Sequence, residues 1–291
     1  MSNLDVLLLN PWLFTLSTGL LGLIVGSFLN VVIHRLPRML EHSWRKECEA
    51  FLELPSSQTD SPALNLITPR SHCPHCGQTI RAHENIPVLS YLMLRGRCAH
   101  CKAVISPRYP CIECMTALLS VIVAGHFGPT LQTAMALILS WSLICLSVID
   151  FDRQLLPDDI TYPLLWLGLL LSLFGIFTDP ASSIVGAIAG YMSLWSIYQL
   201  FKLLTGKEGM GHGDFKLLAV FGAWLGWQML LPIVLLSSMV GAVVGISMVL
   251  VLRHDRSIPI PFGPYLAAAG WIALLWGREL VSTYLEFAGL S

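Results

Sequence analysis

Charge is scarce in this sequence. Of 291 residues, 12% are Asp, Glu, Lys or Arg, while 55% are hydrophobic. An ordinary soluble domain carries about twice that share of charge, so composition excludes the soluble class and leaves an integral membrane protein. The 17 basic residues are balanced by 18 acids and gathered on no single stripe, which excludes nucleic acid as a partner. No Lys or Arg precedes the first apolar run, and no Ala-x-Ala site follows it. The run from Trp12 to Ile33 is therefore expected to be a retained spanning helix rather than a secretory signal. No internal repeat is found, and no low-complexity tract beyond one Pro/Ser-rich linker, "PSSQTDSPALN".

Apolar runs are what the chain has in abundance. Seven more follow, near residues 111 to 128, 131 to 149, 160 to 178, 181 to 201, 215 to 231, 232 to 252 and 262 to 277, two of them short. The expected fold is an all-α polytopic membrane protein of about eight transmembrane helices. Orientation follows from the cations. With the N-terminus outside, residues 34 to 110, 150 to 159, 202 to 214 and 253 to 261 lie inside, and once junction residues such as Lys216 are assigned to the nearer side, every Lys and Arg except Arg278 lies with them. Three regions result: a first transmembrane helix within 1 to 33, a cytoplasmic segment over 34 to 110, and a membrane-embedded core over 111 to 291.

The cytoplasmic segment divides again. In "MLEHSWRKECEAFLE", residues 39 to 53, Leu40, Trp44, Cys48, Phe51 and Leu52 fall near one helical face. That pattern suits a helix on the membrane surface, and equally one packed on its own loop domain. Beyond the linker stand two Cys-x-x-Cys knuckles, Cys73 with Cys76 and Cys98 with Cys101. Each pair can turn two thiolates toward one ion, so the spacing predicts a closed tetrahedral zinc site of structural type, a zinc-binding lobe between the first and second spans. Disulfides are disfavoured on a reducing side, and a thioredoxin-like pair lacks its βαβ surroundings. His75 and His100 are weaker ligand choices. Cys111 and Cys114 open a spanning helix and are expected to pack rather than to bind a second metal.

Two acids stand at the ends of apolar runs. Asp214 follows Gly209, Gly211 and Gly213, and "SVIDFDRQLLPDDI" holds Asp150 and Asp152. In the eight-span topology, Asp214 and the Asp150 region reach the same depth on the same side. Ionisable groups there point to function, and two carboxylates sharing a proton supply an acid and a base for peptide hydrolysis. The glycines are expected to give the backbone before Asp214 unusual dihedral angles and close approach to an extended substrate. Ordinary helix-start capping also fits Asp158, Asp159 and Asp214. Spacing does not choose between Asp150 and Asp152.

"GMGHGDFK" resembles the Gly-x-Gly-Asp signature of membrane aspartyl proteases, and "IDFDRQLLPD" the partner motif of the type IV prepilin peptidases. "GSFLNVVIHRLP", both knuckles, "NIPVLSYLMLRGRC", "SPRYP" and "IPFGPYLAAAG" are similar to segments of the same family. The resemblance runs almost end to end. It implies a bacterial inner (cytoplasmic) membrane enzyme that cuts the leader from type IV prepilins and type II secretion pseudopilins. It also implies methylation of the new N-terminal residue, usually Phe, with S-adenosylmethionine, associated with the cytoplasmic segment. Asp150 and Asp214 become the implied catalytic pair. The family usually has aliphatic residues where this chain has Cys111 and Cys114.

For the methyl donor there is no Rossmann pattern and no Gly-x-Gly loop within 34 to 110. Gly96 and Glu113 are candidates by location, set against a plain turn and a plain pairing with an inner-side arginine. Asn30 and His126 read as helix-to-helix hydrogen-bonding groups, and His212 as a bystander. A proton- or metal-coupled carrier is the rival reading, weakened by the missing inverted repeat and by acids at helix ends rather than at the midplane. A structural assembly platform is the other, and would tolerate loss of either acid.

Overall fold

The computed structural model describes residues 10 to 54, 65 to 251 and 261 to 287. The Pro/Ser-rich linker, save its last residue, and nearly all of the inner loop at 253 to 261 lie outside the described residues. Among the described residues all regular structure is helical, apart from two isolated bridges, His72 with Thr79 and Arg97 with Val104. The helices are α1 (Pro11–Phe51), the short α2 (Leu89–Met93), α3 (Arg108–Phe127), α4 (Leu131–Arg153), α5 (Asp158–Ser172), α6 (Pro180–Thr205), α7 (His212–Leu225), α8 (Leu230–Val251) and α9 (Gly263–Phe287). Each of the eight long ones takes in most of one apolar run, α1 continuing well past the end of its own. The chain forms two compact units, divided between Pro129 and Thr130.

Among the described residues, five segments are long and apolar enough to cross a membrane: Pro11–Phe51, Arg108–Phe127, Leu131–Arg153, Pro180–Thr205 and Trp227–Met248. The chain is thus a multi-pass membrane protein. α5 and α7 have 15 and 14 residues. At 1.5 Å per residue they reach roughly 22 Å, short of a ~30 Å hydrocarbon core.

In the first unit α1 starts on Asn10, whose side chain accepts from the Trp12 and Leu13 N–H groups, with Pro11 in the first turn. It then runs 41 residues through Pro37 without interruption. The expectation of a separate amphipathic helix at 39 to 53 is therefore corrected: residues 39 to 51 continue α1, with Trp44 and Phe51 exposed. A proline inside a helix costs one hydrogen bond, and here the neighbours hold the helix together. Buried Arg35 donates to the carbonyls of Asn65 (2.8 Å) and Pro69 (2.6 Å). Asn30 donates to Gly26 O and, across to α3, to Tyr109 O at 3.2 Å, the helix-to-helix role expected of it. His126 is exposed and rests edge-on against its neighbour Phe127.

The second unit is built around α7. Phe215, Leu217, Leu218, Val220, Phe221 and Ala223 are wholly buried, enclosed by α5, α6 and α9. A helix so sheathed by protein need not match the bilayer in length, which accounts for its 14 residues. α6 is capped by Asp179, which accepts from Ser182 N at 2.9 Å, and it ends on left-handed Gly206. Its contact with α7 is backbone against backbone: a Cβ on Gly222 would strike the Gly186 carbonyl, and a Cβ on Gly186 the Gly222 carbonyl. Gly222→Ala has no flexible side chain to push aside. It is expected to cost about 3 kcal/mol, read as a lower thermal midpoint of the purified protein in detergent.

Candidate active site and metal centre

Asp150 lies in the last turn of α4, and Gln154, in a left-handed conformation, closes that turn by donating to Asp150 O at 2.8 Å. This is the negative end of the helix dipole, where a carboxylate gains nothing from capping. Asp214 lies in the first turn of α7, behind Gly211. Each carboxylic residue is 6% exposed. Leu156 is wedged close to both: a Cβ on Gly213, beside Asp214, would lie 2.7 Å from Leu156 Cβ. A Cβ on Gly263, which contacts Asp150, would lie 3.3 Å from Leu156 Cδ1. The two carboxyls are within electrostatic reach of each other.

The remaining acids separate themselves. Asp152 and Asp159 are exposed, and Asp158 is taken by Lys216, whose Nζ lies 2.7 and 2.8 Å from its two oxygens. Lys216 also lies over the Tyr162 ring, 5.0 Å from its centroid. Burial thus distinguishes Asp150 from Asp152, which spacing could not exclude.

The glycines before Asp214 do not take unusual dihedral angles, contrary to the expectation. Gly211 is ordinary extended backbone (φ −77°, ψ 144°), and none of the three has positive φ. What they supply is room. A Cβ on Gly209 would meet the Phe201 ring at 2.8 Å, one on Gly213 would meet Leu156, and beside Gly211 only the Asp214 carboxyl lies within 4 Å, at 3.9 Å. The His212 ring packs against Tyr198 and Phe215, with centroids 5.2 and 5.4 Å apart.

Sequence reasoning missed Gly263 and Leu156. Gly263 N donates to Asp150 Oδ2 at 3.1 Å across 113 residues of chain. The signal was present in "IPFGPYLAAAG", a glycine set between Phe and Pro at the start of the last helix, but nothing local to it names its partner.

In the first unit the four knuckle cysteines converge. The sulfurs of Cys73, Cys76, Cys98 and Cys101 all lie within 4.8 Å of one another, and Cys73 and Cys101 are 3.8 Å apart. A tetrahedral zinc with bonds of about 2.3 Å requires sulfurs about 3.8 Å apart, so the donor set fits a closed zinc site. The N–H groups of Cys76 and then His75 point at the Cys73 sulfur and pull its thiol down to about 6, toward the thiolate that a metal binds. His75 and His100 lie outside the cluster.

The two knuckles share one hydrogen-bond pattern offset by 25 residues, a local repetition that the sequence did not reveal. Gly77 N donates to Cys73 O and Cys73 N to Gln78 O; likewise Lys102 N donates to Cys98 O and Cys98 N to Ala103 O. The fifth position is left-handed in both, at φ 69° for Gly77 and φ 60° for Lys102. A lysine is strained there, so Lys102→Gly is expected to stabilise the lobe by about 1 kcal/mol. Slower zinc loss to a chelator would register it.

Gly96 sits at the root of the second knuckle with φ 67°, beside the Tyr91 ring, and accepts from Ile105 N. Glu113 is buried on α3. Instead of an arginine it has a backbone partner, the Val88 N–H at 2.7 Å, together with the Ser27 side chain. Cys111 and Cys114, expected to pack rather than to bind a second metal, are exposed at the start of α3.

Residues 20 to 127 match the bacterial peptidase A24 N-terminal domain, and residues 137 to 246 the type IV leader peptidase family. The chain is 54% identical to a prepilin leader peptidase/N-methyltransferase of Stutzerimonas stutzeri, covering all of both chains. It is 55% identical to the protein of that name from Pseudomonas aeruginosa, over 99% of each. With the one from Aeromonas hydrophila identity is 57%, over 94% of this chain and 95% of that one. No solved structure matches.

Proposed function

Since the chain belongs to the prepilin leader peptidase/N-methyltransferase family, we propose that it cuts the leader from type IV prepilins with Asp150 and Asp214 and methylates the amine so exposed. The observation that carries the reading is a pair of buried carboxyls, 6% exposed each and within electrostatic reach, from helix ends that the chain separates by α5 and α6. Two acids of like charge in contact share a proton, so one accepts a proton from water while the other donates one. The water oxygen bonds to the scissile carbonyl carbon, the C–N bond breaks, and the leaving amine takes the donated proton. Room beside Gly211 leaves the Asp214 carboxyl open to an extended peptide.

Pseudopilins of type II secretion carry the same kind of scissile bond and belong to the proposed substrates, presented from lipid. The proposed setting is the bacterial inner membrane with the dyad on the cytoplasmic side, where the lysines and arginines concentrate. No nucleic acid takes part. Residues 34 to 110 are assigned to the zinc lobe and methylation, and 111 to 291 to the peptidase core. S-adenosylmethionine supplies an electrophilic methyl group when bound. Gly96 and Glu113 are the residues offered for that site, Glu113 by orienting the Val88 N–H. Zinc on the four cysteines holds the lobe in shape.

Mass spectrometry of a purified prepilin incubated with the protein and S-adenosylmethionine tests the proposal. The expected product has lost its leader and gained one methyl group on the new N-terminus. An intact prepilin in the presence of folded protein overturns it and favours a carrier, to be sought by uptake into proteoliposomes.

A further inference from the structure

We infer that Gly263 is a positioning residue of the peptidase: the first N–H of α9 holds the Asp150 carboxyl, and only the absence of a side chain at 263 lets the carboxyl reach it. This rests on Asp150 and Asp214 being the cleaving pair.

The first turn of a helix has N–H groups without acceptors inside the helix. In α9 they are accounted for one by one. Pro264 has none, and Tyr265 and Leu266 both donate to Phe262 O at 3.1 Å. That leaves Gly263, whose N–H serves Asp150 Oδ2 at 3.1 Å. Among the described residues it is the one hydrogen-bond donor to that carboxyl. Among the described residues, the other groups around Asp150 offer no anchor. α7 brings the Asp214 carboxyl, which repels it whenever both acids are ionised. Asp158 at the start of α5 is already bound to Lys216, Asp152 and Arg153 on its own helix are exposed, and Leu156 is apolar.

Space makes the same demand. A Cβ at 263 would lie 2.5 Å from Asp150 Oδ2 and 3.1 Å from its Cγ, so even alanine must push the carboxyl off the N–H. An acid that must face water and peptide in one geometry loses rate steeply when displaced, about 10²-fold for 1 Å.

The test uses the full chain purified in detergent with a prepilin substrate. Gly263→Ala is expected to lower kcat for cleavage about 10²-fold with KM within twofold, while methylation of an already cut pilin by the same preparation stays within twofold of wild type. Leu156→Ala added to Gly263→Ala frees the space beside Leu156 but not beside the carboxyl, and is expected to stay equally slow. Wild-type cleavage by Gly263→Ala, or recovery in the double variant, overturns the inference. Should Gly263→Ala lose both activities together, an ester replacing the 262–263 amide removes the N–H while adding no side chain. It is expected to slow cleavage about tenfold, and unchanged cleavage overturns the inference. Asp150→Asn runs beside them. If it cleaves at the wild-type rate, the dyad itself is wrong; if it is inactive while Gly263→Ala is not, the dyad stands and only the positioning role falls.

Discussion

Asp150→Asn and Asp214→Asn are each expected to reduce prepilin cleavage at least about 10³-fold, the double variant falling no further than the worse single one. The magnitude follows from what asparagine removes. It neither accepts a proton from water nor donates one to an amine, and positioned proton transfer contributes 10²- to 10⁴-fold at each of two steps. The equality of single and double variants follows because the acids act through one shared proton, so removing either disables the unit. Asp152→Asn, an exposed neighbour two residues away, is expected to cleave within about twofold of wild type. Rates from leader release, with methylation of pre-cut pilin as the folding standard, decide the matter. A single Asn variant with wild-type turnover would remove that residue from the chemistry.

Loss of the metal is expected to have the second large effect, and on the other activity. Cys73→Ser or Cys98→Ser should bring zinc well below one ion per chain and methylation down more than about tenfold. Structural zinc contributes roughly 10 to 16 kcal/mol to small lobes that it organises, far more than the two bridged knuckles supply by themselves. Cys73 is the more damaging of the two, since it is buried and draws the N–H groups of Cys76 and His75. Cleavage should fall much less, because both acids and their surroundings belong to the unit that begins at Thr130. Metal analysis and paired activity assays on one preparation measure all three quantities. Full zinc in Cys73→Ser would end the four-cysteine assignment.

The knuckles were legible in sequence because their geometry is local: two thiolates three residues apart can always face one ion. The eight helices were legible because apolar length is additive along a chain. Other features depended on neighbours that no window contains. The first helix is expected to end within residues 1 to 33, yet it continues through Pro37 to Phe51, with Arg35 bound to carbonyls some thirty residues away. The glycines around Asp214 suggested backbone freedom, whereas Leu156 and Phe201 show that they provide room. Asp150 could not be told from Asp152 by spacing, and it separates from it only when burial and the α9 N–H are known.

The uninterrupted α1 has a mechanical consequence. At 1.5 Å per residue its 41 residues extend about 60 Å, and a bilayer core takes up about 30 Å of that. Half of the helix is therefore a lever. When a membrane thins, a long span tilts to keep its apolar length submerged, and each 10° of tilt moves a tip about 30 Å away by roughly 5 Å. A change of lipid thickness that tilts the span therefore displaces Phe51 at its inner end.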